Sequence, residues 1–293
     1  MKPSFTIVGC GRVGTTLGWH LTQSGYPAES FTSRTLTSAE AIAGKVGISS
    51  FGDRPWEHTA SADIVFITTP DDVIAEVCRD IVNKTGFRSG SVVLHCSGSL
   101  PSTILAPARK NGAYIGSLHP LQSIAKATFD SNPFQGIITA VEGDPQAIES
   151  ARKIAADLGS RCIDIRTEAK ILYHASAVVA SNYLVTLMDL SLRLLKKAGI
   201  EASDAVDVLY PLVKGTLTNI EKIGIPQALT GPIARGDLAT IADHLQAMGR
   251  QTPELLHLYK ALGSHTVKLA GAKGSLDPSQ AEKFEKLLSG KDS

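Results

Sequence analysis

The chain has 293 residues, 43% of them hydrophobic, and its 29 basic and 28 acidic side chains leave a formal net charge of +1. These values fit one or two folded domains and exclude disorder, collagen and coiled coil. The near-neutral balance argues against phosphate neutralisation, and 5% aromatic content offers little base stacking, so no nucleic-acid partner is expected.

The first apolar run, Phe5-Thr6-Ile7-Val8, is too short for a signal peptide and leads at once into glycines. The first half then alternates. Strand-like runs are expected at Phe5–Val8, Glu29–Ser33, Asp63–Thr68, Ser91–His95, Ala113–Ser117, Gly136–Val141 and Cys162–Ile165. Helical spacing falls between them, at Arg12–Ser24, Ser38–Val46, Asp71–Val82, Pro101–Asn111 and Pro145–Leu158. Short β-rich runs separated by helices predict a mostly parallel Rossmann-type sheet covered on both faces.

After Ile165 the strand pattern stops. One long helix is predicted over Glu168–Ala198, ended by Gly199, with further helices over Ser203–Ile223, Asp237–Met248, Pro253–Leu269 and Pro278–Leu288. The domain boundary is expected near Arg166, giving a dinucleotide domain over 1–166 and a helical domain over 167–293. The most apolar stretch, Ala175 to Leu195, is interrupted by Asn182, Asp189 and Arg193, so a buried helix is expected rather than a membrane span. A polar tail follows Ser289. Cys10, Cys78, Cys96 and Cys162 form no C-x-x-C pair and have no histidine at metal spacing. They read as buried thiols of a cytoplasmic protein, with no metal site.

Gly9-Cys10-Gly11-Arg12-Val13-Gly14 is a G-x-G-x-x-G segment. Such glycines are common, but this one follows an apolar strand and opens an amphipathic helix, the setting of a dinucleotide fingerprint. Gly9 would allow the tight turn, Gly11 the approach of a pyrophosphate, and Gly14 close helix–strand packing. The helix N-terminus would offer free N–H groups to the phosphates. The second strand ends Ser33-Arg34-Thr35, without a carboxylate. An acid there bonds the ribose 2′-OH of NAD, whereas an arginine pairs with a 2′-phosphate, so NADP(H) is the expected cofactor. Thr68-Thr69-Pro70 ends another buried strand and would line the cofactor, while His95-Cys96-Ser97-Gly98, ending the next strand on the same edge, would face its nicotinamide end.

The fingerprint, the Ser-Arg-Thr strand end, the Asp-Ile-Val-Phe-Ile-Thr-Thr-Pro strand and an all-helical second half together resemble the 6-phosphogluconate dehydrogenase-like superfamily. That group includes β-hydroxyacid dehydrogenases, pyrroline-5-carboxylate reductases and deazaflavin-dependent NADP oxidoreductases. Three more segments resemble a narrower Rossmann-like family whose C-terminal part is domain of unknown function 2520. They are Leu118-His-Pro-Leu-Gln-Ser-Ile124, Tyr173-His-Ala-Ser-Ala-Val-Val-Ala-Ser-Asn182 and Gly231-Pro-Ile-Ala-Arg-Gly-Asp237. The resemblance implies a 6-phosphogluconate dehydrogenase C-terminal-like helical domain, a nicotinamide cofactor and a homodimer formed through that domain. It implies no particular substrate.

On the long helix, Lys170, His174 and Ser181 fall within roughly 40° of one another at about 100° per residue, and Asn182 borders that face. In the resembled β-hydroxyacid dehydrogenases the matching helix carries a lysine and, four residues on, an asparagine. Here Lys170 matches the first position, but His174 stands at the second. A lysine and a neutral histidine still supply proton transfer at a carbonyl or imine. His119 follows a strand and is expected in a proline-stiffened turn at the ligand edge. Asp237 is a good N-cap, and Arg235 before it is the candidate holder of an anionic substrate group.

These residues point to an NADP(H)-dependent oxidoreductase acting on a small carbonyl/hydroxyl or imine/amine substrate between the two domains. His174, Asn182, His119 and Lys170 are the catalytic candidates, with Ser181 and Arg235 on the substrate. The alternative is a non-catalytic NADP sensor on the same fold.

Overall fold

The computed structural model describes residues 1–290, and the expected polar tail at 291–293 lies outside them. The chain divides into two compact units, Met1–Asn182 and Tyr183–Ser293. This division lies later than the expected boundary near Arg166, because the first part of the long helix packs with the sheet.

The first unit is an eight-stranded sheet in the order β3-β2-β1-β4-β5-β6-β7-β8. The strands are β1 (Phe5–Val8), β2 (Ala28–Thr32), β3 (Phe51–Gly52), β4 (Ile64–Ile67), β5 (Val92–His95), β6 (Tyr114–Pro120), β7 (Ile138–Gly143) and β8 (Arg161–Asp164). From β3 to β6 every pairing is parallel. β7 runs antiparallel to β6, and β8 is parallel to β7. The chain winds outward from β1 through β2 to β3, then returns to place β4 on the other side of β1. That reversal opens a crevice at the strand C-termini, where open α/β sheets bind ligands.

The strands read as near-continuous apolar runs because both sheet faces are covered. Alternate residues serve opposite layers. Phe5, Ile7, Phe66 and Leu94 join one core, together with Leu17 and Leu21 of α1 (Arg12–Gln23) and residues of α2 (Leu36–Val46) and α4 (Pro145–Asp157). Val65, Ile67, Val93 and Ile115 join the other. Its second layer comes from α3 (Ile74–Lys84) and a 3₁₀ segment, Ser102–Asn111. Burying each phenylalanine contributes about 1.5–3 kcal/mol.

β6 is longer than its sequence predicts. It continues through His119 and Pro120, because β7 runs back beside it and pairs His119 with Ala140. The expected turn at His119 is therefore a strand. With the side chains of β6 alternating, Ser117 and His119 share the face of Ile115. Glu142, the register partner of Ser117, stands on β7 beside them.

The predicted single helix from Glu168 is divided. A 3₁₀ turn, Thr167–Ala169, leads into α5 (Lys170–Ala180), and α6 (Asn182–Lys197) begins after Ser181. Lys170 opens α5 and is 1% exposed. Its ammonium donates to Ser117 Oγ and to Glu142 Oε1, the latter at 3.4 Å. Glu142 is 2% exposed and also accepts from Ser102 N at 2.7 Å, Ser102 Oγ at 2.7 Å and Thr167 Oγ1 at 2.8 Å. One carboxylate thus ties the 3₁₀ segment, the α5 entry and the sheet together. Thr167–Lys197 is also, among the described residues, the one helical segment long and apolar enough to cross a membrane. The expected burial of its apolar part is not found: Ile171, Leu172, Val179, Tyr183 and Val185 are exposed. Among the described residues these side chains are left uncovered.

The second unit continues with α7 (Ala202–Ile223), α8 (Ile225–Ala228), α9 (Leu238–Gln251), α10 (Leu256–Lys273) and α11 (Pro278–Ser289). Its core gathers Ile233, Ile241, Val267, Ala270, Phe284 and Leu288. Asp237 caps α9 by accepting from Thr240 N at 3.1 Å, as its position predicts.

Removing one partner of a buried ion pair strands the other charge and costs about 3–5 kcal/mol. Glu142→Ala is therefore expected to lower the unfolding temperature sharply. Adding Lys170→Met to that variant should restore much of the loss. Equal destabilisation by the single and the double variant would show that no buried charge is being compensated.

Candidate functional site

The crevice between β1 and β4 is a cleft of about 700 Å³. The fingerprint forms its floor for steric reasons. Gly9 has φ +109°, and a Cβ there would lie 2.6 Å from Thr69 N. A Cβ on Gly14 would collide with Gly9 O and Thr68 Oγ1, so only glycine lets α1 sit this close to the strands. Gly11 differs: its φ is −78°, and a Cβ would meet nothing within 4 Å. Gly11 lines the cleft, so its missing side chain leaves the cleft open and serves no packing contact. No side chain caps the N-terminus of α1, and its first turn holds no acid, so its leading N–H groups suit phosphate. Thr69 Oγ1, also in the lining, is buried without a hydrogen-bond partner. The residues present fit a dinucleotide.

Of the expected cofactor residues, Gly9, Cys10, Gly11, Ser33, Arg34, Thr35, Thr68, Thr69 and Pro70 line the cleft. Arg12 instead donates to Ala125 O at 3.3 Å, and Val13 lies outside the lining. Burial pushes the Cys10 thiol up to about 12, which makes it inert. Cys96 packs against the sheet core, and burial raises its thiol to about 12 as well. Ser97 does not open to the cleft. Its hydroxyl donates to Asp71 Oδ2 at 2.7 Å, and Ser99 Oγ donates to the same oxygen at 2.9 Å. Asp71 follows Pro70, so this carboxylate clasps the loop after β5 to the loop after β4.

That clasp places Gly98 beside a second group of side chains. A Cβ on Gly98 would lie 2.6 Å from His174 Nδ1 and 2.7 Å from His119 Nε2. The two imidazole centroids are 6.3 Å apart. His119 Nδ1 and the Tyr173 hydroxyl are 2.9 Å apart, while His174 Nδ1 is buried and unpartnered. Lys170, Tyr173 and His174 occupy one face of α5, as spacings of three and four residues require. Burial is the main cause that lowers His119 to about 4, with the Lys170 and His174 charges adding to it. Burial likewise lowers His95 to about 3 and Lys170 to about 8, the Glu142 carboxylate opposing it at Lys170. Tyr173 is raised to about 12 by burial, so it keeps its proton.

The structure therefore joins His119 and His174, adds Tyr173, which the sequence reading missed, and sets Gly98 against both imidazoles. Lys170 stands behind them, with its ammonium enclosed by Ser117 and Glu142. Ser181 and Asn182 are exposed at the α5–α6 junction. Arg235 belongs to the other unit, exposed at the end of a 3₁₀ turn, Ile233–Arg235. Among the described residues no group of three or more His, Cys, Asp or Glu could hold a metal ion.

Comparison with known proteins agrees with this architecture. Residues 2–120 match the Rossmann-like domain model, and residues 137–266 match the domain of unknown function 2520. The chain thus combines a Rossmann-like domain with a domain of unknown function 2520. A Bacteroides fragilis protein provisionally described as an NADP oxidoreductase is similar at 25% identity and a TM-score of 0.72, over 89% of this chain and 96% of that one. A Thermotoga maritima protein is similar at 25% identity and a TM-score of 0.73, over 92% and 99%. A pyrroline-5-carboxylate reductase from Coxiella burnetii, 15% identical with a TM-score of 0.60 over 98% and 99%, shares the fold. No curated protein matches the chain.

His119 and His95 both titrate below the ordinary histidine value, so between about pH 6.5 and 4 the unfolded chain takes up protons that the folded chain refuses. Stability is therefore expected to fall as pH drops through that window, and His119→Gln should flatten part of the fall. The His119 ring resonance should titrate near 4 by NMR. A midpoint near the ordinary value of about 6.5 would refute the burial argument.

Proposed function

We propose that this chain is an NADP(H)-dependent oxidoreductase that reduces or oxidises a small substrate at a carbonyl/hydroxyl or imine/amine centre. One observation carries the reading. The dinucleotide cleft and the His119–His174 pair lie on one sheet edge, joined by the Asp71 clasp. The resemblance to a protein described as an NADP oxidoreductase supports it.

The cofactor, when bound, supplies the hydride; the chain supplies position and protons. Gly9, Gly11 and the α1 N-terminus would hold the pyrophosphate, and Arg34 with Ser33 and Thr35 would receive the 2′-phosphate. Tyr173 keeps its proton, and in the tautomer in which its hydroxyl donates a hydrogen bond to His119 Nδ1, a neutral His119 carries its own proton on Nε2, the nitrogen facing Gly98. That N–H, with His174 Nδ1 beside it, brackets the place where a substrate oxygen or nitrogen gains or loses a proton. A nucleotide sensor has no use for two imidazoles there. Lys170 acts behind them as a positioning residue.

Calorimetry is expected to show NADP(H) binding more tightly than NAD(H). Gly11→Ala should weaken both at least tenfold without changing the unfolding temperature. A panel of carbonyls and imines, followed by NADPH absorbance, should yield a substrate whose turnover His174→Ala reduces about 10²-fold or more. Tighter NAD binding would overturn the cofactor reading, and wild-type turnover by His174→Ala the catalytic one.

We further infer a homodimer. Apolar side chains along α5, α6 and α7 are exposed on the single chain, Val185, Tyr210 and Leu212 among them at 70%, 61% and 67%. Patches on this scale mark interaction surfaces. Light scattering at micromolar concentration should give twice the 30.9 kDa chain mass. A monomer would refute the assembly.

A further inference from the structure

Two charges of opposite sign stand at neighbouring strand ends in the cleft. Thr32 of β2 and Gly52 of β3 are register partners, and the Ser33 N–H donates to Gly52 O at 3.0 Å. The chain leaves the two strands in step, as Ser33-Arg34-Thr35 on one side and Asp53 on the other. Arg34 and Asp53 both line the cleft, and both are exposed. Among the described residues no ion pair joins them, and Asp53 makes no hydrogen bond. Arg34 is also the one lysine or arginine among the described lining residues. The neutralising partner that an exposed arginine often finds next door is therefore not engaged, and both charges are left for a ligand.

We propose that Asp53 is a second determinant of nucleotide choice: it accepts the ribose hydroxyls of NAD(H) and repels the 2′-phosphate that Arg34 attracts, so the cleft takes both dinucleotides. The inference rests on the cleft being a nicotinamide-dinucleotide site. Its physical basis is substitution in space. Enzymes that hold NAD carry an acid at the end of the second strand to bond the ribose 2′-OH. Here that position is Ser33-Arg34-Thr35, and the acid is delivered by the adjacent strand instead. β3 has only two residues, so the β2–β3 pairing ends where the carboxylate is needed. The remaining acids of the lining, Asp72, Glu76 and Asp80, come from the segment after β4 and not from these strand ends. Because Arg34 and Asp53 are exposed, solvent and salt screen them, and each charge should move affinity by about two- to fivefold rather than by orders of magnitude.

The test is titration calorimetry of the full chain with NADP⁺ and NAD⁺, at about 0.05 M and 0.5 M salt. Wild type should bind both, with NADP⁺ favoured by less than about tenfold. Asp53→Asn should tighten NADP⁺ and weaken NAD⁺, widening the ratio by about fivefold or more at low salt and less at high salt. Asp53→Ser should widen it in the same direction, and Arg34→Ala should reverse the preference. Unfolding temperatures of all three variants should stay at the wild-type value, which separates charge effects from damage to the fold. Equal effects of Asp53→Asn on both nucleotides, or no effect on either, would overturn the role of Asp53 while leaving the oxidoreductase reading intact. If wild type binds neither dinucleotide, that reading itself falls.

Discussion

The ion pair between Lys170 and Glu142 is the constraint on which the site depends. Both charges are out of water, and neither would be tolerated there alone. Their pairing fixes which face of α5 meets the sheet. Once Lys170 is seated, Tyr173 and His174 must follow on the same helical face, one turn further along. Ser102 and Thr167 bond the same carboxylate, so a 3₁₀ segment and a helix entry are also held by it. Such networks stabilise little compared with an apolar replacement, but they allow few alternative arrangements. Here the arrangement kept is the one that faces two imidazoles toward each other.

The sheet carries the other half of this geometry. Side-chain alternation along β6 puts Ser117 and His119 on one face, and the β6–β7 register sets Glu142 beside Ser117. A slip of one residue would turn Glu142 into the opposite core and His119 away from Tyr173. The antiparallel return of β7 thus does more than extend the sheet. It fixes a histidine at a ladder position, with far less freedom than a loop would allow.

Much of this was legible in the chain. Apolar runs such as Ile64–Ile67 and Val92–His95 announce strands covered on both faces, and the fingerprint announces the turn that Gly9 and Gly14 enforce. What could not be read depends on pairing across long separations. Two residues of β3 give no periodicity. His119 reads as a turn until β7 is placed alongside it. Lys170 reads as a catalytic lysine on a polar stripe, and not as half of a buried ion pair, because Glu142 lies 28 residues away. Tyr173 hid for a different reason: a search for polar stripes passes over a tyrosine, whose one polar atom is at its tip. A signal did exist at Glu142, an acid within the apolar strand Ile-Thr-Ala-Val-Glu-Gly, where burial demands a cation.

Gly98 draws the two halves together by what it lacks. It lies in the loop that Asp71 clasps, directly against both imidazoles, and one methyl group on its α-carbon would collide with them. The atoms it would meet are ring nitrogens, His174 Nδ1 and His119 Nε2, and the His119 ring is held by its strand and by Tyr173. The missing side chain therefore sets how near the loop after β5 can come to the two rings, and a single hydrogen atom in place of a methyl group decides the spacing of strand, loop and helix.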